Sequence, residues 1–325
     1  MLKVRPFQPI EAEYDAAVAV NNANWPGNPK TTDEEKRSDA NRNPAYFFQR
    51  LVGEHSGTIV ATGECGETFW LAEPDQYSWH FNILPDYANQ GFEEQMYDSL
   101  MAQLAQRHPR KFFVGMRDDK VEQVQFIETH GYRLIQREPT SYLDVRTFDV
   151  SHFSDVMTRV QQQGIQILGV NRLQQVDPEW MQKLWNLQWE IKQDVPGTGQ
   201  ATRELFEEFK KRVNDANHYD PGAHFAAVHQ TDADGNDAGS YVGMTRLTYN
   251  KVDPTLGSTH LTGVVRSYRR RGVATALKVH AIRIAKAQGV RRIDTMNHED
   301  NPMLALNVRL GFKPGPAWLY YEKIL

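Results

Sequence analysis

The sequence predicts a mixed α+β protein in which one strand–turn–helix plan is used twice. Two observations carry that expectation. In the second half the apolar run Leu261-Thr262-Gly263-Val264-Val265 leads into a basic turn, Arg269-Arg270-Arg271-Gly272. Beyond it Ala274, Leu277, Ala281, Ile284 and Ala285 recur at helical spacing, and Gly289 stands where a left-handed helix stop belongs. The first half repeats the order: Leu84 to Glu93, a helical pattern through Met96, Leu100 and Leu104, a strand-like Lys111 to Met116, and a closing Phe126 to Tyr132. Gly91 and Gly131 lie 40 residues apart, and Gly272 and Gly311 lie 39 apart. Landmarks at matched intervals argue for an internal duplication.

Composition fits this plan. A chain of 325 residues, 40% hydrophobic and 24% charged, suits two soluble globular domains. The net charge of −4 argues against a nucleic-acid surface, which is usually basic. No run reaches transmembrane length, and the start of the chain, with Pro6, Pro9, Glu11 and Glu13, is not that of a signal peptide. The single Cys65 excludes an internal disulfide and a cysteine metal cluster, which suits a reducing cytoplasm. Neither a nucleic acid, a membrane nor a metal is an expected partner.

Taken in order, Lys3 to Phe7 reads as a strand, followed by a helix to about Asn24 that Trp25-Pro26-Gly27-Asn28-Pro29 breaks. Helices are expected at Thr32 to Asp39 and at Ala45 to Val52. Antiparallel strands are expected at Gly57 to Glu64 and in the aromatic run beyond Glu67. Tyr142-Leu143-Asp144-Val145 should finish the first sheet, and Phe148 to Gln163 connects the halves. In the second half Ile165 to Val170 is a strand. Asp177-Pro178-Glu179 is a good helix start, and that helix carries Trp185, Leu187, Trp189 and Ile191 before stopping near Asp194 to Gly197. A further helix spans Glu204 to about Val213, and strands span Phe225 to His229 and Tyr241 to Tyr249. The acidic stretch Asp232 to Asp237 reads as a hairpin turn; it lacks the rest of an EF-hand loop, including the closing Glu.

The basic turn has a chemistry of its own. A strand, a tight turn and a helix start gather free backbone N–H groups at the positive end of a helix dipole, which suits a phosphate. Gly272 allows close backbone approach, Ala274 is small, and the arginines bring forked donors. Arg269-x-x-Gly272-x-Ala274 on such a junction resembles the acetyl-coenzyme A pyrophosphate loop of the GNAT N-acetyltransferase superfamily. Downstream, the strand Arg291 to Met296, Asn297, Asn301, a helix from about Pro302 and Leu310-Gly311-Phe312 resemble the family's closing segment. The resemblance covers roughly residues 165 to 325.

What the resemblance implies is a tandem pair of GNAT domains, each a twisted, mostly antiparallel central sheet flanked by helices. They divide as residues 1–147, a connecting segment 148–164, and 165–325. It implies acetyl transfer from acetyl-coenzyme A, as co-substrate, to an amine, taken here as a small molecule. The backbone of Val264 and Val265 would pair with the pantetheine arm. The amides of Arg270, Arg271, Gly272, Val273, Ala274 and Thr275, with Arg269 beside them, would cradle the pyrophosphate. Asn301 reads equally as a contact to the cofactor arm and as a helix cap.

Two departures from the family pattern matter. In the first half Ala88 replaces the loop arginine and Glu93 the small residue. A carboxylate there would repel a pyrophosphate by roughly 1–4 kcal/mol at 4 Å, and would satisfy the helix start itself. The first half is therefore expected to bind no cofactor, and to wall the acceptor site or brace the second half, in a mycothiol-synthase-like arrangement. In the second half Asn307 stands where many relatives carry the tyrosine that protonates the leaving thiolate. Asn offers only a hydrogen bond, so water, Tyr320 or Tyr321 would take that role. For the base, Glu190 and Asp194 lie at the expected acceptor mouth, and His260 shares a strand face with Thr262 and has a suitable intrinsic pKa; Asp194 and His260 are the candidates, and Trp185 and Trp189 read as core. Two other classes stay open: a non-catalytic acyl-coenzyme A sensor, which Asn307 and the altered first half favour, and an acetyltransferase acting on protein amino groups.

Overall fold

Most strand segments bury a continuous or alternating apolar face, and the helices between them carry apolar stripes, so both can close over a shared core. The computed structural model describes residues 1–68, 74–196, 202–215, 219–230, 239–298 and 300–325. The first half runs β1 (Lys3–Pro6), α1 (Glu11–Asn24), α2 (Thr32–Ala40), β2 (Phe48–His55), β3 (Thr58–Glu67), β4 (Gln76–Ile83), α3 (Phe92–Ala105), β5 (Lys111–Arg117), α4 (Val121–Thr129) and β6 (Arg133–Asp144). Helix α5 (Ser154–Gln162) connects to β7 (Ile165–Gly169), α6 (Val170–Val176), α7 (Trp180–Lys192), α8 (Phe206–Asn214), β8 (His224–His229), β9 (Ser240–Tyr249) and β10 (Leu256–Val264). The chain closes with α9 (Val273–Ala287), β11 (Arg292–Met296), α10 (Pro302–Arg309) and β12 (Lys313–Ile324). Among the described residues, no helix is long and apolar enough to cross a membrane.

All twelve strands form one sheet, in the order β1-β2-β3-β4-β5-β12-β6-β11-β10-β9-β8-β7. Pairing is antiparallel except for two short parallel contacts, β4 with β5 and β10 with β11. The order corrects one expectation. Residues 142–145 do not finish the first sheet; Thr140 to Asp144 pair with Met296 to Arg292 of β11. The edge of β5 is instead covered by β12, with Lys111 opposite Ile324 and Arg117 opposite Trp318. Each half thus receives its closing strand from the other. The cores follow the strands: Leu143, Val145 and Phe148 pack in the second core, whereas Tyr321 packs in the first.

A second correction concerns 45–52, expected as helix. Phe48 to His55 is strand β2, held between β1 and β3. Burial of Leu51, Val52 and Gly53 in a paired central position overrides any local helical preference. The sequence also gave no sign of α6. The aromatic run at 69–70, Gly197 and the acidic turn 232–237 lie outside the described residues.

Because the two middle strands are shared, the halves should unfold together. Calorimetry of the full chain is expected to give one transition with matching calorimetric and van't Hoff enthalpies. Two separable transitions would show that the strand exchange does not couple the halves.

Candidate functional site

The basic loop is fixed from three sides. A 3-10 turn over Arg266–Tyr268 carries the chain off β10, and Arg270 and Gly272 then adopt left-handed backbone, at φ 63° and 88°. Gly272 is needed for that φ and also for space, since a Cβ there would lie 2.8 Å from Val156 Cγ2 of the connecting helix α5. Gln163 Nε2 donates to the Arg271 carbonyl at 3.2 Å, bracing the loop from the same connector. Among the described residues, the backbone N–H groups of Arg270, Arg271, Gly272, Val273, Ala274 and Thr275 have no acceptor. They converge at the start of α9, where the helix dipole adds positive charge. This cradle fits a diphosphate.

Helix α7 supplies the third side. Gly263 of β10 lets Ile191 lie directly on the strand, where an added Cβ would be 2.1 Å from Ile191 Cγ2. That contact brings Asp194 to the loop. Arg266 donates to it through Nε at 3.0 Å and through Nη2, and Arg269 Nη2 forms a second ion pair. These hydrogen bonds, Arg266 first and then Arg269, hold the Asp194 carboxyl far below the usual range. Asp194 was a candidate base; a carboxylate so stabilised is a poor proton acceptor. Its geometry is that of a clamp on the loop arginines. Glu190 is exposed on the same helix. Arg271 stacks over Tyr268 at 4.8 Å from the ring centroid, and the Arg270 side chain reaches solvent.

Beside the loop the sheet opens. Strands β10 and β11 pair only from Leu256 to Ser258, and a register shift between Thr259 and Thr262 turns β10 away. From there to Val264 its β11-facing edge is free for a ligand's backbone-like arm. The Val264 carbonyl itself accepts from Arg269 Nε at 3.0 Å, and Val265 N–H donates to Val242. The opening leads into a wide cleft bounded by both halves. Trp185 and Trp189, expected in the core, line it; Leu184, Leu187 and Ile191 form the buried face of α7.

His260 lies on the cleft wall, its Nε2 2.7 Å from Thr248 Oγ1. The surrounding protein, then the Arg246 and Arg212 cations, push it down to about 4. It is neutral near pH 7 but weakly basic. Glu138 reaches the same cleft from the exchanged strand β6, accepting from Gln136 Nε2 at 2.6 Å and from the Tyr320 hydroxyl at 3.3 Å. Tyr320 also approaches Met296 Sδ at 3.9 Å, and burial raises its pKa. Tyr321 donates to Glu128 at 2.9 Å within the first core, away from the cleft.

Asn301 is the N-cap of α10, its Oδ1 accepting from Met303 N–H at 2.9 Å, while it also lines the cleft. Asn307 is fully buried; its Nδ2 donates to Asn297 Oδ1 at 2.6 Å, and its Oδ1 has no partner. One further group was missed in the sequence. Lys278 on α9 is 2% exposed and lines the cleft, and its Nζ has no hydrogen-bond partner. It lies 5.3 Å from the Phe312 ring centroid, and burial alone pushes its ammonium down to about 7. The signal was available: four residues after Ala274 and three before Ala281, Lys278 falls on the apolar stripe of the helix. Glu138 gave no such signal, because its place depends on the strand exchange.

The first half has the same backbone with different chemistry. Asn89 and Gly91 are left-handed at φ 60° and 76°, matching Arg270 and Gly272. Glu93 turns back into the loop and accepts from Asn89 N–H at 2.9 Å. Below it, Trp79, Phe81 and Phe126 wall a smaller cavity rimmed by Glu93, Glu94 and Glu122.

Comparison with known proteins agrees with this geometry. Residues 181–312 match the model of the acetyltransferase (GNAT) family. The match is to a GNAT domain within the second half of the chain. Its whole length superposes on a GCN5-related N-acetyltransferase from Sphaerobacter thermophilus with TM-score 0.72, at 16% identity over 99% of this chain and 95% of that one. A tandem GNAT protein from the clavulanic acid biosynthesis pathway, solved without AcCoA, superposes with TM-score 0.75, at 17% identity over 100% and 98% of the two chains. At such identities these likenesses establish the tandem GNAT fold. No curated protein matches the chain by sequence.

The buried lysine has a measurable thermodynamic signature. Its folded pKa, about 7, lies below the ordinary 10.5. The unfolded chain therefore binds more protons between those values, and stability rises with pH through that window. Lys278→Met should stabilise the protein by on the order of 4 kcal/mol below pH 7, with the gain shrinking towards pH 10.5. Denaturant melts across this range check it; a gain independent of pH would mean that the lysine is not buried unpaired.

Proposed function

We propose that this protein is an acetyl-coenzyme A-dependent N-acetyltransferase acting on a small-molecule primary amine, with the second half as the working domain. The observation that carries the reading is the contrast between the two loops. One backbone shape occurs twice, but only the loop of the second half carries arginines and leaves its first left-handed N–H, that of Arg270, free, where Glu93 turns back onto Asn89 N–H in the first. Arg270, Arg271 and the amides to Thr275 would hold the diphosphate, with Arg269 steadied by Asp194. The free edge of β10 near Val264 would align the arm, and Asn301 would border it. Acetyl-coenzyme A supplies the activated acetyl thioester; the chain orients it and manages the protons.

The cleft supports an amine acceptor. Of the candidate bases, Asp194 is committed to arginines and His260 is weakened by neighbouring cations. Glu138 offers a cleft carboxylate from the first half, suited to attract an ammonium group and to receive its proton. The first half in this reading binds no cofactor: it walls the cleft and delivers Glu138. The single, buried Cys65 suits a cytoplasmic setting.

The loop assignment is tested by Ala274→Glu, which copies Glu93 into the open loop. Calorimetry should find one coenzyme A site per wild-type chain and none in this variant, with its thermal midpoint retained. Two equivalent sites, or unchanged affinity in the variant, would place the diphosphate elsewhere. A bound cofactor without thiol release across a panel of amines would favour the sensor reading instead.

The acceptor assignment is tested by Glu138→Gln. Turnover near neutral pH is expected to fall by about 10²-fold, as for loss of a positioned base, with cofactor affinity unchanged. Turnover equal to wild type would remove Glu138 from proton handling.

A further inference from the structure

The internal duplication provides a control for the buried lysine. Counting from the loop glycine and from the closing glycine, Lys278, Asn307 and Phe312 correspond to Tyr97, Ile127 and Tyr132 in the first half. There the three positions close on one another. Trp79 Nε1 donates to the Tyr132 hydroxyl at 2.7 Å, the Tyr97 and Tyr132 hydroxyls are 3.4 Å apart, and Ile127 is apolar. In the second half the same three positions leave two buried polar atoms without partners, Lys278 Nζ and Asn307 Oδ1. Lys278 Nζ faces the Phe312 ring, and the Phe312 N–H donates to the backbone carbonyl of Asn307 at 3.0 Å. Lys278 lines the cleft into which the gap between β10 and β11 opens.

Burying an unpaired amine is costly, and a methionine or leucine would fill this place on the helix stripe. The half whose loop is plugged by Glu93 carries no such cost; the half with the open loop does. We propose that Lys278 is the acid that protonates the sulfur of coenzyme A as it departs. The assignment rests on the acetyl-transfer reading above. The acceptor nitrogen forms a bond to the acetyl carbon, the carbon–sulfur bond breaks with its electron pair going to sulfur, and a Lys278 proton moves to that sulfur. The proton lost by the acceptor amine goes to the cleft carboxylate or to solvent, from which Lys278 is recharged, so each turnover is balanced.

The chemistry is favourable in direction. A thiol ordinarily titrates near 8.5, so an ammonium held near neutrality gives its proton to a thiolate downhill, while an ordinary lysine would not. The cleft carries many other charged and titratable groups, among them His260 on β10, Arg246 on β9, Glu138 on β6, Arg212 on α8, Glu204 before it and His298 after β11; none of them contributes to the lysine's shift, which comes from burial alone. Tyr320 is the competing donor, and its hydroxyl is already given to Glu138.

The test needs no acceptor. In the complex with free coenzyme A, the bound thiol is titrated by its thiolate ultraviolet absorbance in wild type and in Lys278→Met, a change that removes a buried charge and should leave the fold intact. The wild-type thiol is expected to titrate about 0.5–1 pH unit lower than in the variant, because an ammonium beside the sulfur favours the thiolate while the thiol stays the weaker acid of the pair. Equal midpoints with coenzyme A bound in both would overturn the proposal while leaving the acetyl-transfer reading in place. Failure of wild type to bind coenzyme A would overturn both. In turnover, Lys278→Met should lower kcat by about 10²–10⁴-fold at unchanged KM for acetyl-coenzyme A. Lys278→Arg, which keeps the charge but does not release a proton, should not restore it. Restoration by arginine, or acetyl-Lys278 accumulating in mass spectra during turnover, would refute the acid role.

Discussion

The exchange of closing strands is the constraint on which everything else in this molecule depends. Strand β5 has no partner on one edge until β12 arrives from the far end of the chain, and β11 has none until β6 does. A sheet edge left open in a half-built domain exposes unpaired backbone groups and apolar side chains. Exchange solves both problems at once and ties the two cores together through β6 and β12, which pair with each other from Arg133 to Tyr142. Further contacts add to the join: Trp25 stacks on Trp318 at 5.5 Å, and Asn250 donates to the Pro29 carbonyl at 2.9 Å. The cleft is a product of that join, since its walls come from both halves.

Within this frame, the two halves differ by small substitutions on a repeated backbone. The left-handed pair before α3 recurs before α9, so loop shape alone does not separate the halves. What separates them is the residue two places beyond the glycine. Glu93 satisfies the Asn89 amide internally, whereas beside Ala274 the corresponding Arg270 amide has no acceptor. The same division appears deeper down, where one half pairs its hydroxyls and the other keeps an amine and an amide oxygen unpaired. Buried polar groups without partners are rare in folded proteins and call for a reason. Here both belong to the half with the open loop, Lys278 on α9 and Asn307 on α10.

Much of this was legible in the sequence, and the limits are physical. Landmark glycines, the strand before the basic turn and the apolar stripe of α9 are local signals, and all appear where they were expected. The closed loop at Glu93 was equally local: a carboxylate at a helix start has few other places to go. Pairing between distant segments was not legible. The pattern of Tyr142 to Val145 says that it is a strand but not whose edge it joins, and β2 is decided by its burial between β1 and β3. Site residues followed the same rule. The shape of the loop was legible from its spacing; the arginine partners of Asp194 were not, because Arg266 and Arg269 meet it only after Ile191 packs on Gly263. Glu138 depends on the exchange and was invisible, while Lys278 was visible as a charge on an apolar face and was overlooked.

The exchange also sets a timetable for synthesis. The edge of β5 pairs with residues 318–324, so the first half is released from the ribosome unable to complete its own sheet. At roughly 5–20 residues per second, the wait for the covering strand is on the order of ten to forty seconds. During that interval a strand with Phe112, Phe113 and Val114 at its centre is open to pairing with any neighbouring chain. A nascent chain of this design places its greatest risk of misassembly before translation ends, and a chaperone acting on it has most to protect in that window.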